Sequence, residues 1–363
     1  MLGSIITSLL FFSFIMLSFI MIANPIGVNK KGNIWLGFFL LFWGSHWLEE
    51  IVILCGGDFE VFQSFYILPF IQFLNPLMFY LSVRFFTHPN YKVKKILPLI
   101  CIMPLFFLLV LMFKTELETY YHALFLSLVL CHAFLYISLS YFLLRQHKKN
   151  VSNFSSSPQD YDLQWLEFII YALIVVLLIV AAFNILNYKA PLNIYMNVIF
   201  VLTVYFVAFH SLKQKEIYPI NEKQTDEVIA IEENKEEDSR KKIVSDEKLV
   251  QLKSELNVIM NEKQPYLNSE LNLVILSDIM ETSPHILSYV INTGFNVNFP
   301  QFVNRFRVEK AKELLQNNTL ANKLTIMGIA FESGFNSKTV FNTAFKKQTG
   351  KTPSQFKKEC SNF

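Results

Sequence analysis

Residues 329–353 read IAFESGFNSKTVFNTAFKKQTGKTP, a polar, lysine-studded stretch with two helix-like runs around Gly334. Glycine there supplies the positive φ that a sharp helix–helix turn demands. The stretch has a counterpart upstream. From Leu271 the chain reads LNLVILSDIMETSPHILSYVIN, and from Leu324 it reads LTIMGIAFESGFNSKTVFNTAFKK. Each joins an apolar-periodic helix, through a short break, to a second helix that starts at serine. Ser277 and Ala330 lie mid-way along the two first helices, where the close crossing of a helix-turn-helix needs a small side chain. Leu287 follows Ser277 by ten residues and Phe341 follows Ala330 by eleven, so the units match apart from one turn residue. Between them, FPQFVNRFRVEKAKELLQN (299–317) keeps helical periodicity with no breaker after Pro300. One connecting helix is expected there.

This arrangement resembles the DNA-binding domain of AraC/XylS-family transcription regulators over about residues 263–358. The lead-in KQPYLNSELNL, the helix FVNRFRVEKAKELL and the stretch IAFESGFNSKTVFNTAFKKQTGKTPSQFKK carry the resemblance. The chain departs at Ser277, where family members usually have alanine, and at Asn296 in FNVNF, where they usually have glycine. Asparagine is the next best residue for left-handed backbone, so that turn is expected to persist.

The resemblance implies that each second helix enters a major groove of double-stranded DNA, with RNA polymerase as a further partner. The groove-facing positions it implies are His285, Ser288, Tyr289 and Asn292 in the first unit, and Lys338, Thr339, Asn342 and Thr343 in the second. Asparagine can bond adenine edges, lysine guanine, and Ser/Thr either. Residues 264–323 hold 5 basic and 5 acidic side chains, whereas 324–363 hold 6 and 2. Lys346, Lys347 and Lys351, with Lys357 and Lys358, therefore suit phosphate contact. A solvated lysine face is the plain alternative, above all for Lys357 and Lys358.

The rest of the chain is different in kind. Residues 1–212 carry 20 charged side chains and residues 213–363 carry 41, in a protein that is 53% hydrophobic with 37 phenylalanines. Seven apolar stretches, near 5–23, 34–54, 61–86, 96–113, 119–144, 165–187 and 191–212, are each long enough to cross a hydrocarbon core as a helix. The first lacks both a preceding positive residue and a small-residue cleavage site, so it reads as a span rather than a signal peptide. Basic and non-basic loops alternate. Lys30 and Lys31, then Arg84, Lys92, Lys94 and Lys95, then Arg145, Lys148 and Lys149, then Lys213 and Lys215 mark one side. That places the N-terminus outside and the C-terminus in the cytoplasm.

Residues 213–247 hold 7 basic and 11 acidic side chains with one aromatic, Tyr218, and read as a charged tether. Beyond it, Leu249, Leu252, Leu256 and Ile259 recur at helical spacing. That stripe either packs on its own domain or pairs with a second copy in a homodimer. The four cysteines have neither metal-ligand nor disulfide-framework spacing. Paired carboxylates, phosphate loops and nucleophile arrangements are not found, so neither enzyme activity nor a cofactor or metal is expected.

The sequence thus leads to an all-α chain: a seven-helix transmembrane bundle (1–212), a flexible linker (213–247), and a cytoplasmic double helix-turn-helix domain joined by a linker helix (248–363). With the family's bacterial setting, the expectation is a regulator embedded in the cytoplasmic (inner) membrane. It would touch membrane lipid and respond to an unidentified small-molecule or membrane signal. A transporter or channel with a regulatory DNA-binding appendage is the rival reading. Polar groups within the spans are the candidates for signal sensing: His46, Glu49, Glu50, Gln72, His132, Asn184, Asn187 and Asn197, together with Asn193.

Overall fold

The computed structural model describes residues 2–57, 66–154, 163–185, 193–213, 243–317 and 323–360, and the regular elements among these are helices. The chain divides into two compact units: Met1–Gln146 with Leu163–Ile217, and His147–Asp162 with Tyr218–Phe363.

The first unit contains α1 (Leu2–Ala23), α2 (Lys30–Gly44), α3 (Leu48–Leu54), α4 (Ile67–Phe73), α5 (Asn75–Thr87), α6 (Leu97–Met112), most of α7 (Lys114–Phe154), α8 (Gln164–Ile185) and α9 (Asn193–Ser211). The outer surface of this unit is apolar. On α1, Phe12, Met16 and Phe19 form an i, i+4, i+7 stripe exposed by 61%, 66% and 72%. Such a stripe is uncommon on a soluble monomer and suits contact with lipid. Helices meet through small residues, as bilayer packing favours. A Cβ at Gly37 would lie 2.5 Å from Ile22 Cγ1 and 3.0 Å from the Ser18 carbonyl oxygen. The Ser18 hydroxyl donates to the Gly37 carbonyl at 2.8 Å.

Among the described residues, four helical stretches are long and apolar enough to cross a membrane: Gly3–Ala23, Lys30–Leu54, Ile67–Thr87 and Tyr120–Lys149. Leu97–Met112, Gln164–Ile179 and Asn197–Ser211 are apolar but shorter. The sequence expectation of seven spans is therefore met at full length by four. The helix at 97–112 begins beside Pro98 and has 16 residues, about 24 Å of rise against a core of about 30 Å. The last two flank residues 186–192, which lie outside the described set. Three boundaries also differ. The second stretch is interrupted by a 3-10 turn at Ser45–Trp47, and the third breaks between Phe73 and Asn75, ahead of Pro76. The fifth continues as helix to Phe154, which places Arg145, Lys148 and Lys149 on α7 rather than in a loop.

The second unit holds α10 (Asp246–Glu262), α11 (Leu273–Ile279), α12 (Pro284–Phe295), α13 (Phe299–Gln316), α14 (Ile326–Glu332), α15 (Lys338–Thr349) and α16 (Pro353–Cys360). The expected charged tether mostly lies outside the described residues, and helix resumes at Asp246, where the Ser245 side chain caps it. Leu252, Leu256, Ile259 and Met260 of α10 are buried, and α10 packs on α12. The leucine stripe thus serves its own unit.

The starts of these helices are written locally. Asn272, Ser283, Asn298, Thr325 and Ser337 each accept a bond from a backbone N–H in the first turn that follows. Each is worth about 1 kcal/mol. Asn298 and Gln301 complete a reciprocal capping box at the head of α13, the single connecting helix expected from the sequence.

The two helix-turn-helix turns begin identically. Thr282 N bonds the Ser277 carbonyl at 3.0 Å, and Phe335 N bonds the Ala330 carbonyl at 2.9 Å. Glu281 and Gly334, each four residues past the small residue, carry φ of 52° and 88°. The extra residue of the second unit therefore falls after Phe335. Ser277 and Ala330 are both fully buried, and Asn296 has φ 57°, as expected. Helix α13 packs in turn against α12, α14, α15 and α16. Its Val308, Ala311 and Leu315 close a core with Ile329, Ala330, Phe335, Phe341 and Phe345.

Arg307 of α13 holds the two turn units together. It is fully buried, with Nε 2.7 Å from the Tyr266 carbonyl oxygen and Nη2 2.8 Å from that of Asn268. Its guanidinium lies 5.7 Å from the centre of the Phe335 ring. Burial lowers its pKa to about 10, which leaves it charged at neutral pH. Gly334 approaches the same place. A Cβ there would overlap the Tyr266 carbonyl oxygen and lie 3.1 Å from Arg307 Nε. Gly334→Ala combines that overlap with a strained φ and is expected to destabilise the second unit by roughly 3 kcal/mol. Urea unfolding of a 243–363 fragment, followed by circular dichroism, checks this. An unchanged midpoint would contradict the packing described.

Candidate nucleic-acid interface and membrane polar cluster

The second helix of each turn unit, α12 and α15, has one buried and one open face. On α12, Leu287, Val290 and Ile291 are buried, which leaves His285, Ser288 and Tyr289 partly exposed and Asn292 exposed. The Asn292 amide donates to Ser288 Oγ at 3.3 Å, so these two side chains present a joint polar edge. On α15, Phe341 and Phe345 anchor the core, while Lys338, Thr339 and Thr343 are exposed and Asn342 is half-buried. Every candidate base-reading residue therefore lies on the accessible side of its helix.

The cations divide. Lys346 and Lys347 are exposed in the last turn of α15. Lys351 pairs with Glu359, and Lys357 Nζ reaches the Leu324 carbonyl oxygen at 3.5 Å. An exposed pair of this kind is worth under about 1 kcal/mol and yields readily to a phosphate. A cleft of about 590 Å³ lies between α13 and α15, bordered by Thr339, Thr343 and Lys347 on one wall and by Gln301, Asn304 and Arg305 on the other. Arg305 is exposed, and Asn304 Oδ1 is buried with no partner among the described residues. Arg305 was not singled out in the sequence. Its signal was available: it is the polar neighbour of the core positions Phe302 and Val308 on an otherwise amphipathic helix.

The membrane-depth candidates separate into groups. Asn197 of α9 and Glu50 of α3 come together through Thr7 of α1. Thr7 Oγ1 donates to Glu50 Oε2 at 2.8 Å and accepts from Asn197 Nδ2 at 3.4 Å. Trp47 Nε1 donates to Asn197 Oδ1 at 3.0 Å. Thr7 and Trp47 were missed, because neither stands out until three helices are assembled. His46 and Glu49 are exposed beside this cluster. Gln72 lies apart and donates to the Ser45 carbonyl at 3.4 Å. His132 is buried and stacks on Phe73 with ring centres 4.0 Å apart, within a cluster that includes Phe107. The Asn184 and Asn193 side chains and the whole of Asn187 lie outside the described residues. Among the described residues no three His, Cys, Asp or Glu side chains gather as metal ligands.

Comparison with known proteins bears on the second unit. A family model described as "Helix-turn-helix domain", of AraC type, matches residues 276–359. A curated relative, the Msm operon regulatory protein of Streptococcus mutans serotype c, is 30% identical over 83 residues. That match takes in 23% of this chain, which spans 28% of the relative's length. Among solved structures, a Listeria innocua protein of unknown function is 27% identical, with 28% of this chain and 93% of that one covered, at a TM-score of 0.25. The C-terminal domain of AraT, a response regulator from Geobacillus stearothermophilus, is 28% identical, with 31% and 84% covered, also at 0.25.

The division of labour on α15 is testable by DNA-binding isotherms over a range of salt. Asn342→Ala is expected to relax preference at one base position at a cost of about 1–3 kcal/mol. Lys346→Ala and Arg305→Ala are expected to weaken binding to all sequences and to flatten the salt slope by about one unit each. Equal effects of all three on specific and random DNA would contradict these roles.

Proposed function

We propose that the chain is a membrane-embedded, one-component transcription regulator. The observation that carries this reading is the coexistence in one chain of two unlike parts. One has lipid-type helices with exposed apolar stripes, and the other has an AraC-type helix-turn-helix domain with two open recognition faces. Residues 1–212 form the membrane sensor, with seven spans in all, residues 213–247 the tether, and residues 248–363 the DNA-binding domain in the bacterial cytoplasm. His285, Ser288, Tyr289 and Asn292 read bases in one major groove, and Lys338, Thr339, Asn342 and Thr343 in the next. Lys346, Lys347, Lys351 and Arg305 bind phosphates and set register. RNA polymerase is the downstream partner of a bound regulator of this type.

The sensing role rests on the Thr7–Glu50–Asn197–Trp47 cluster. Thr7 lies near the start of α1, Glu50 near the end of the second apolar stretch, and Asn197 near the start of α9. These ends meet on one side only if successive spans alternate in direction, and the basic loops then assign that side to the outside. Asn197 stands on α9, the last helix before the tether. A signal that rearranges the cluster therefore acts on the helix that leads in sequence into the tether, provided the bundle has two alternative packings with different affinity for the signal.

Genome-wide mapping of DNA bound by the intact, membrane-localised protein tests the proposal. Discrete sites that vanish on deletion of 276–359 are expected. Membrane localisation without any enriched DNA would overturn it.

A further inference from the structure

One end of the first unit is a basic corner. The head of α2 and the tail of α5 lie side by side there. The Ser82 hydroxyl donates to the Gly32 carbonyl at 3.0 Å, the Trp35 and Phe85 rings stack at 6.3 Å, and a Cβ on Gly32 would lie 2.9 Å from the Phe86 ring. The connection that follows α5 folds back onto this junction. Lys31 Nζ donates to the Pro89 carbonyl at 2.9 Å, and the Arg84 guanidinium lies 4.2 Å from the centre of the Tyr91 ring. Residues 24–36 and 84–96 together carry six cations, Lys30, Lys31, Arg84, Lys92, Lys94 and Lys95, and no Asp or Glu.

The charge of this corner is not neutralised within the fold. Lys30, Lys31, Lys92 and Lys94 are exposed. Neither they nor Arg84 pair with an acidic side chain among the described residues. Arg84 is the sharpest case. Tyr91 covers one face of its guanidinium, its Nε is buried, and its N–H groups meet no acceptor among the described residues. A guanidinium laid on an aromatic ring with its edge unbonded is pre-organised for a phosphate, which it takes through two parallel bonds. The corner also stands where lipid-facing surface begins. Ile22 and Ile26, ahead of α2, are exposed, and so are Leu97, Leu99 and Ile102 of α6, just after Lys94. A soluble phosphate would use the cations alone. A phospholipid uses the cations and the apolar surface together.

We propose that this corner binds an anionic phospholipid, with its phosphate on Arg84, Lys31 and Lys92 and an acyl chain along Leu97, Leu99 and Ile102. The site rests on the membrane placement proposed above and adds a preference among lipids to it. General attraction between basic loops and an anionic leaflet is shared by every cation on that side. A site is distinguished from it by dependence on Arg84 in particular.

The test titrates the full-length protein, in a non-ionic detergent, with phosphatidylglycerol or with phosphatidylcholine of the same chains, and reads bound lipid by native mass spectrometry. One phosphatidylglycerol is expected to bind at least about tenfold more tightly than phosphatidylcholine. Arg84→Gln is expected to remove that preference. Lys31→Gln combined with Lys92→Gln, both at exposed positions, weakens it and keeps the site testable if the Arg84 variant fails to fold. Arg145→Gln, which removes a cation of the same membrane side that bonds Tyr141 on α7, leaves the preference unchanged. Equal affinity for the two lipids would overturn the proposal. So would equal losses in Arg84→Gln and Arg145→Gln, the mark of diffuse attraction. Displacement of the lipid by inorganic phosphate at equal concentration would assign the corner to a soluble anion and overturn it as well. Retention of the chain in carbonate-washed membranes is measured separately. A chain that is retained but shows no lipid preference loses this proposal alone, and one that is not retained loses the membrane placement beneath it.

Discussion

The buried guanidinium of Arg307 is the contact on which the DNA-binding unit depends. The two turn units, residues 271–292 and 324–347, both pack on α13, and the lead-in of the first has still to be held against the turn of the second. Arg307 supplies that hold. It projects from the helix shared by both units, bonds two carbonyls in the lead-in to the first, and lies beside the turn of the second. Taking a charge out of water costs several kcal/mol, and two short bonds to carbonyl oxygens offset part of that cost. The arrangement works only because Gly334 has no side chain: the turn passes against the Tyr266 carbonyl at a distance no Cβ would permit. Glu281, its counterpart, also has positive φ, yet it is exposed and tolerates a side chain. Gly334 is thus required by packing as well as by backbone conformation.

The two recognition faces inherit their rigidity from that pin. With α12 and α15 both fixed to α13, the spacing between the faces is a property of the fold and not of a flexible joint. A signal cannot change DNA affinity by altering this spacing cheaply. Regulation must act on something outside the unit, such as its local concentration, its pairing, or its access to DNA. The proposed membrane sensor fits that constraint, because α9 precedes the tether and the rigid unit in sequence.

The legible and illegible parts of the chain divide by the range of the forces involved. The serine starts of α12 and α15, the left-handed Asn296, and the small residues Ser277 and Ala330 act over one turn, so the sequence shows them directly; the caps at Asn272, Asn298 and Thr325 act over the same range and came to light with the structure. The connecting helix follows from period, and the open faces of α12 and α15 from the family resemblance. Arg307 looked like one more basic residue, because only the assembled fold reveals three elements converging on it. Its place four residues after Val303 and four before Ala311, both buried, was the available signal. Thr7 and Trp47 were hidden for the same reason. Hydropathy located the apolar stretches but not their breaks: the 3-10 turn at Ser45–Trp47 and the 41-residue α7 depend on neighbours and on loop geometry.

The central claim is that one membrane-anchored chain presents two recognition helices to adjacent grooves. Hydroxyl-radical footprinting of the full-length protein in nanodiscs, on a site recovered from the genome, tests it most directly. The account predicts two protected segments on one face of the duplex, about one helical turn or roughly 34 Å apart. A single protected segment, or none, would contradict it.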